Sequence, residues 1–252
     1  MFESLIANII VEFAKGIFLA IPRAIKNYKF VRFFGKESIK SDRVFLVLDP
    51  YEHPTSRANL RPGMHRFIKD FKGRKPNANL IGEDKVLGSC SIRVTKYATS
   101  IFGIHREKTN PIKTVLDENI LNDWECSLIC SGSSDSNIKT YDIENLPENN
   151  LYSFGFGSNG YCEFDITGEK YSINQDGDAG IIVRINNPHH PEHKLFICAG
   201  IGEWGTSGAS YFLFKNWKKL YKRYGKNRNF VIVLRVPIGQ DESAREIRAF
   251  NT

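Results

Sequence analysis

The chain has 252 residues and a formal net charge of +7, from 35 Lys and Arg against 28 Asp and Glu. With 41% apolar and 25% charged residues, it is too apolar for a disordered chain and long enough to bury the core of one large domain. Its 20 Gly and 10 Pro exclude a collagen-like or low-complexity protein.

Residues 1–40 are predicted to form an amphipathic, basic helical segment that anchors the chain or joins copies of it. Apolar residues recur at helical spacing over 2–21, and Pro22 then stops or kinks the helix. The apolar stretch is short for a membrane span, and the charged residues Glu12 and Lys15 make it more polar than such a span usually is. Three interpretations are open: the helix packs on its own domain or on a second copy, lies at an anionic membrane surface, or spans the membrane. The cations that follow it, with aromatic residues between them, are Arg23, Lys26, Lys29, Arg32 and Lys36.

Residues 41–252 are predicted to form a single α/β domain. Continuous apolar runs at 43–49 and 125–131 are typical of strands buried on both faces. Between them, residues 50–86 are polar, basic and rich in Pro and Gly, which predicts a long loop. Residues 88–102 have the apolar spacing of a helix.

The second half of the domain shows a period of two and then a strand–helix–strand pattern. Thr167 and Gly168 predict the turn of a β-hairpin. A helix over 206–224 has one apolar and one basic face, and Gly225 suits its carboxyl end. The whole pattern predicts an α/β fold with a mixed, mainly parallel Rossmann-like sheet, flanked by helices and carrying a β-hairpin insertion. The strands predicted here are 152–156, 161–166, 170–173, 179–185, 195–199 and 230–236.

Two loops that follow buried strands are the candidate ligand-binding segments. The small side chains, hydroxyls and backbone N–H groups of the first suit a ribose or an anion. The glycines of the second allow a ligand to approach closely, and the helix that follows adds N–H groups and a partial positive charge. Tight connections and helix capping are the structural alternative for both loops. The candidate residues are Gly132, Ser133, Ser134, Asp135, Ser136 and Asn137 in the first loop, and Gly202, Trp204, Gly205, Thr206, Ser207 and Gly208 in the second.

Glu203, the acid inside the second loop, is the candidate catalytic residue. It is a general base, an acceptor for a ribose hydroxyl, or a surface acid stabilised by the helix dipole. Asp176 and Asp178 are typical of acids in a turn. Asp241 either closes the same pocket or caps a final helix over 244–250.

Charge is distributed unevenly along the chain. Residues 114–180 carry thirteen acidic and two basic side chains, a balance of −11, whereas 181–252 carry twelve basic and five acidic ones, a balance of +7. These segments either neutralise each other or leave a basic face for phosphate, nucleic acid or an anionic membrane. An anion is expected at 202–208, beside the basic helix, and hydroxyl groups at 132–137.

Neither cysteines nor histidines predict a metal site. The odd number of cysteines indicates free thiols in a reducing compartment, so the chain is expected to be cytoplasmic, at most peripheral at the inner face of the membrane. His189, His190 and His193 lie in a Pro-interrupted loop without the spacing of zinc ligands. No cofactor is identified from the sequence.

The order of four motifs resembles an uncharacterised prokaryotic α/β family with a GGPxxN-like loop, a DYGxI strand followed by Asn-Pro, and an AGxxGxGTxxA strand–helix turn. The resemblance covers 30–245; Ser133 and Ser134 replace Gly-Pro, and Ala179 replaces the aromatic residue. It implies a Rossmann-like sheet with a site between the two loops, and no particular substrate. The motifs here are GSSDSN at 132–137, DAGIIVRINNP at 178–188, FICAGIGEWGTSGA at 196–209 and FVIVLRV at 230–236.

Three functions from different classes fit these features. The first is recognition of a nucleotide or nucleotide-derived ligand, by analogy in bacterial signalling or antiviral (phage) defence, with the N-terminal helix as a membrane anchor or oligomerisation element. The second is hydrolysis of a nucleotide or N-glycosidic bond with Glu203 as base. The third is a membrane-associated scaffold without a small ligand.

Overall fold

The computed structural model describes residues 27–35, 38, 43–49, 87–105, 112–158 and 160–251. The predicted helix over 2–21 and the predicted loop at 50–86 lie outside these residues. Residues 27–34 are helical.

Ten strands and three further helices follow in the described part of the chain. The helices are α1 (Ser89–His105), α2 (Ile138–Glu144) and α3 (Glu203–Tyr224). The strands are β1 (Val44–Leu48), β2 (Lys113–Leu116), β3 (Ser127–Ser131), β4 (Ser153–Phe156), β5 (Cys162–Ile166), β6 (Glu169–Tyr171), β7 (Asp178–Asn186), β8 (Lys194–Gly200), β9 (Phe230–Val236) and β10 (Arg245–Asn251).

Seven of these strands form one mixed sheet in the order β10-β9-β7-β8-β3-β1-β2. The pairs of neighbours from β8 through β3 and β1 to β2 are all parallel. β7 runs antiparallel to both β8 and β9, and β10 runs antiparallel to β9. The central strands are fully buried, as their continuous apolar runs predict. The predicted mixed, mainly parallel α/β sheet is therefore confirmed.

The two faces of the sheet carry different layers. On one face, α1, α3 and the helical residues 27–34 form an aromatic core in which Phe30 and Phe34 pack against Trp217. On the other face lie α2 and a small antiparallel sheet of β4, β5 and β6. The turn at Thr167 and Gly168 joins β5 to β6, so the predicted hairpin is present.

Three elements, β2, α2 and β10, were not predicted, and one alternative for the segment of β10 is wrong. β2 and α2 have no clear apolar periodicity, because both are short and β2 is half exposed. Residues 244–250 do not form the final helix that was one alternative for this segment. They lie almost entirely in β10, an edge strand paired with β9.

Candidate functional site

The carboxyl ends of β1, β3 and β8 meet at one edge of the sheet, because these strands are parallel neighbours. After β3 the chain passes to α2, whose Ile143 lies in the core on one face. After β8 it passes to α3 on the opposite face, where α1, the next described helix after β1, also packs. Neighbouring strands whose connections leave to opposite faces open the crevice in which α/β proteins bind ligands. The two predicted loops therefore flank this crevice.

The floor of the crevice is polar. A Cβ on Gly132 would lie 3.4 Å from the Asp49 carboxyl group, which places the end of β1 against the first loop. The hydroxyl of Ser131, the last residue of β3, is buried and has no hydrogen-bond partner among the described residues. The Asp49 carboxyl group and the Ser131 hydroxyl thus lie at the carboxyl ends of the neighbouring strands β1 and β3.

The first loop, 132–137, contains a helix-capping residue, Asn137, and buried serine hydroxyls. Gly132 has φ +108°, a conformation that L side chains rarely adopt. Asn137 caps α2 by accepting the Thr140 N–H at 2.9 Å, and its Nδ2 donates to the Ser131 carbonyl at 3.0 Å. Asn137 is thus held by the fold itself. Ser133 and Ser134 are buried beside the crevice, and the Ser133 hydroxyl donates to Asp135.

Behind this loop lie two acids, Asp135 and Glu144, of which only Asp135 was predicted from the sequence. Burial raises the pKa of Glu144 to about 7, and the nearby Asp135 carboxylate adds to that rise. Glu144 Oε1 accepts the Phe154 N–H at 3.0 Å, which ties α2 to β4. Its Oε2 and the Tyr152 hydroxyl are both buried, and the Ser134 and Tyr152 side chains lie close enough to the carboxyl group to offset part of the rise in its pKa. Burial also raises the pKa of Asp135.

The second loop, 202–208, is already capped by a carboxylate of the chain itself. Asp178, 1% exposed at the start of β7, accepts the Gly202 N–H at 3.1 Å and the Gly205 N–H at 2.6 Å. It occupies the position in which a helix N-terminus would hold an anion. The sequence suggested that Asp178 is an acid in a turn. Its capping role could not be predicted, because Asp178 contacts residues that lie 24 to 27 positions further along the chain.

The glycines of the second loop serve close packing of α3 on the sheet. A Cβ on Gly205 would lie 2.5 Å from the Ala179 carbonyl oxygen, and one on Gly208 would lie 2.7 Å from the Val236 methyl groups. The Thr206 hydroxyl donates to the Gly202 carbonyl at 3.3 Å, and the Ser207 hydroxyl donates to the Trp204 carbonyl at 3.4 Å. These groups are held by local backbone.

Glu203 points instead toward α1. Its Oε2 accepts a hydrogen bond from Ser89 Oγ at 2.9 Å and lies 3.5 Å from an Arg93 nitrogen. The Arg93 guanidinium stacks over Trp204 at 4.2 Å and pairs with Asp241 through Nε at 3.0 Å. Asp241 therefore lies in the same cluster as Glu203 and Trp204, and its predicted role in closing a ligand pocket stays a prediction. Ser89 and Arg93 were not predicted, since nothing in the α1 sequence distinguishes them from other polar helix residues.

The partly buried thiol of Cys90 completes this second cluster. Burial raises the pKa of Cys90 well above its ordinary value, and Asp49 acts in the same direction. The thiol therefore stays protonated at neutral pH and is unsuited to act as a nucleophile. All five cysteines are free, as predicted.

Comparisons with known proteins add no relative: no family model, curated protein or solved structure matches the chain. The family resemblance of the four motifs thus stays an expectation. In the described part of the chain, no group of three or more His, Cys, Asp or Glu side chains is placed to hold a metal ion. Among the described helices, none combines the length and apolarity needed to cross a membrane.

Proposed function

We propose that the chain recognises a nucleotide or a nucleotide-derived ligand in the crevice between the carboxyl ends of β1, β3 and β8. One observation carries this proposal: the chain leaves β3 toward one face of the sheet, whereas it leaves the neighbouring strand β8 toward the other face. This arrangement opens a crevice beside the hydroxyl-bearing residues of the first loop. The unpartnered Ser131 hydroxyl at its base supports the same proposal.

The charges of the crevice favour the sugar part of such a ligand over a bare phosphate. Asp49, Asp135, Glu203 and Asp241 bring acceptor oxygens to this edge, whereas Arg93 is a cation already paired with two of them. Carboxylates accept hydrogen bonds from ribose hydroxyls and repel a free anion. The hydroxyls of the ligand would bind at 132–137 and its base near the Arg93–Trp204 stack.

The proposal also concerns the cellular process in which the chain acts. A role in bacterial signalling or phage defence, with residues 1–40 as membrane anchor or oligomerisation segment, is supported by the sequence pattern and the family resemblance alone. A basic segment with interleaved aromatic residues suits an anionic membrane surface.

Binding to a panel of compounds tests the proposal. Calorimetry and thermal unfolding of the full chain with NAD, mono- and dinucleotides, cyclic nucleotides and ADP-ribose should give saturable binding of at least one compound. Asp135→Asn should weaken that binding by about tenfold, because a charge-assisted hydrogen bond is replaced by a neutral one.

Glu125→Gln is the matched control, because Glu125 lies at the opposite edge of the sheet and is 68% exposed. The control should bind like the unchanged chain. The proposal is overturned if none of the compounds binds, or if both variants bind alike.

A second function, hydrolysis of a nucleotide or N-glycosidic bond, is favoured by one specific observation. Glu203 sits at the crevice with its carboxylate oriented by Ser89 and Arg93, as a general base needs. Glu203→Gln should abolish turnover of the compound found in the binding panel while its affinity persists. Equal turnover in both proteins would remove Glu203 from the reaction.

A further inference from the structure

A separate cavity opens at the opposite, amino edge of β8. Its volume is about 620 Å³, and it lies where the β7–β8 connection faces the turn after α3. Nothing in the crevice at the carboxyl edge contributes to it. The cavity is lined by Glu148, Asn186, Asn187, Pro188, Pro191, Glu192, Lys194, Lys226, Asn227 and Asn229.

Lys194 is a buried cation in the wall of this cavity. The side chain belongs to a residue that is 2% exposed, and its Nζ donates to Asn186 Oδ1 at 2.8 Å and to the Pro191 carbonyl at 3.0 Å. An ammonium group has three donors, so one N–H lacks an acceptor among the described residues. Both existing acceptors are neutral, and no described carboxylate bonds to Nζ.

A second buried cation lies beside it. Arg184, fully buried, donates to the Gly225 and Arg228 carbonyls and also has only neutral acceptors. Buried charges in proteins are ordinarily paired, because an isolated ion loses its hydration. The pKa of Lys194 is lowered to about 8, mainly by burial and to a smaller extent by the nearby Arg184 and Lys226, whereas Glu192 acts in the opposite direction.

Further donors surround the same space. Lys226 is exposed at the rim and makes no ion pair or hydrogen bond to a described residue. The Asn229 side chain accepts the Asn186 N–H through Oδ1 at 2.9 Å, which leaves its NH₂ group without an acceptor in the described part of the chain. Ammonium and amide donors that converge on one cavity fit the oxygens of a compact anion.

We infer that this cavity is a binding site for the phosphoryl group of a small phosphorylated molecule, with Lys194 at its base and Lys226 at its rim. The anion supplies the counter-charge that the buried lysine lacks and accepts its third N–H. Glu148 and Glu192 on the walls add negative charge to the cavity, so a ligand with several phosphoryl groups should bind more weakly than one with a single group. The inference does not rest on the proposed function.

Titration of the full chain with inorganic phosphate tests the inference. Calorimetry and ³¹P line broadening at constant ionic strength, kept with sodium chloride, should show one saturable site. Lys194→Met should weaken binding by about tenfold or more, because it removes a charge-assisted hydrogen bond in a buried place. Lys226→Gln, at an exposed position that folding does not need, should weaken it by about threefold.

Lys219→Gln removes one exposed charge from α3 outside the cavity and is the matched control. It should bind phosphate like the unchanged chain, and so should Asp135→Asn from the carboxyl edge, which separates this site from the proposed function. Acetate should bind clearly more weakly than phosphate. The inference is overturned if phosphate acts no differently from chloride, if acetate matches it, or if Lys226→Gln and Lys219→Gln bind it equally.

Discussion

The two loops at the carboxyl edge follow neighbouring parallel strands and are both candidate ligand-binding segments, yet the structure places their side chains differently. In 202–208, Asp178 occupies the helix N-terminus, and the glycines bring α3 against the sheet. In 132–137, Asn137 and the buried Asp117, which accepts the Ile138 N–H at 2.7 Å, cap the helix end, and the serines lie beside acids of raised pKa. Both helix ends are thus capped by the chain itself, and the difference is that the first loop also follows a buried Ser131 hydroxyl that has no partner among the described residues.

A glycine-rich strand–helix turn therefore has two physical meanings. Glycine allows either a ligand or the backbone of a neighbouring strand to come close. A glycine in a strand–helix turn therefore does not by itself indicate which of the two it accommodates. The decisive group in 202–208 is an acid on another strand. The anion predicted for this loop would have to displace Asp178, so the crevice side of 132–137 is the better place for a ligand.

The largest expected effect tests the packing role of the second loop. A Cβ on Gly200 would lie 2.2 Å from the Thr206 nitrogen and 2.5 Å from the Gly202 carbonyl oxygen. Because these atoms belong to backbone that cannot rotate away, Gly200→Ala should lower the free energy of unfolding by about 3 kcal/mol or more. Chemical denaturation of the full chain measures this loss.

Gly103→Ala provides the comparison for that substitution. Gly103 lies in α1, and an added Cβ there meets nothing within 4 Å. Alanine should stabilise the helix by about 0.5–1 kcal/mol. Similar stabilities for the two variants would show that the close approach of the second loop to Gly200 at the end of β8 is not needed for packing.

The acids behind the first loop should make stability depend on pH. Burial raises the pKa of Glu144 from 4.5 to about 7, so the folded chain holds this proton more tightly than the unfolded chain does. Its contribution to stability is complete below about pH 4.5 and is lost as the pH rises through 7. Relative to the unchanged chain, Glu144→Gln should gain about 3 kcal/mol between pH 4 and pH 8.

Urea unfolding at a series of pH values gives this difference directly. Glu148→Gln, which removes an exposed carboxylate nearby in the chain, should follow the unchanged protein at every pH. If the Glu144→Gln curve also runs parallel to it from pH 4 to pH 8, the carboxyl group behind the first loop is not buried as described.

Removing the internal cap should cost less than removing a packing glycine. Asp178→Ala leaves the N–H groups of Gly202 and Gly205 without their acceptor, which should lower the free energy of unfolding by about 1–3 kcal/mol. Asp178→Asn retains one acceptor oxygen and should lose about half as much. Asp176→Ala, at an exposed position two residues earlier, should change it by less than about 0.5 kcal/mol.

Thermal and urea unfolding of the three variants decide between capping and a general effect of charge. Equal losses for Asp178→Ala and Asp176→Ala would contradict the capping role. If Asp178→Ala instead gains affinity for inorganic phosphate at the second loop, the vacated helix N-terminus is an anion site that Asp178 normally fills.

The sequence was sufficient for those features that depend on neighbouring residues. Apolar runs located β1, β3, β8 and β9, and helical spacing located α1 and α3, because burial on both faces or on one stripe leaves a periodic signal. The place of both loops beyond strand ends followed from the same runs. Asp178, Arg93 and Glu144 were missed as functional or capping groups, because their contacts join distant segments that only the folded sheet brings together.

The smallest expected change in stability concerns Glu203, the candidate catalytic residue at the mouth of the second loop. Its side chain is 43% exposed, and its contacts are one hydrogen bond to Ser89 and a 3.5 Å ion pair with Arg93. An exposed ion pair contributes about 0–1 kcal/mol, and glutamine can still accept from Ser89. Glu203→Gln should therefore shift the Tm by no more than about 2 °C. If Glu203→Gln loses turnover while its Tm is unchanged, Glu203 acts in the reaction and is not needed for the packing of this loop, which then depends on the glycines. If the Tm instead drops by several degrees, Glu203 stabilises the contact between α1 and α3. The second loop would then have a structural role only.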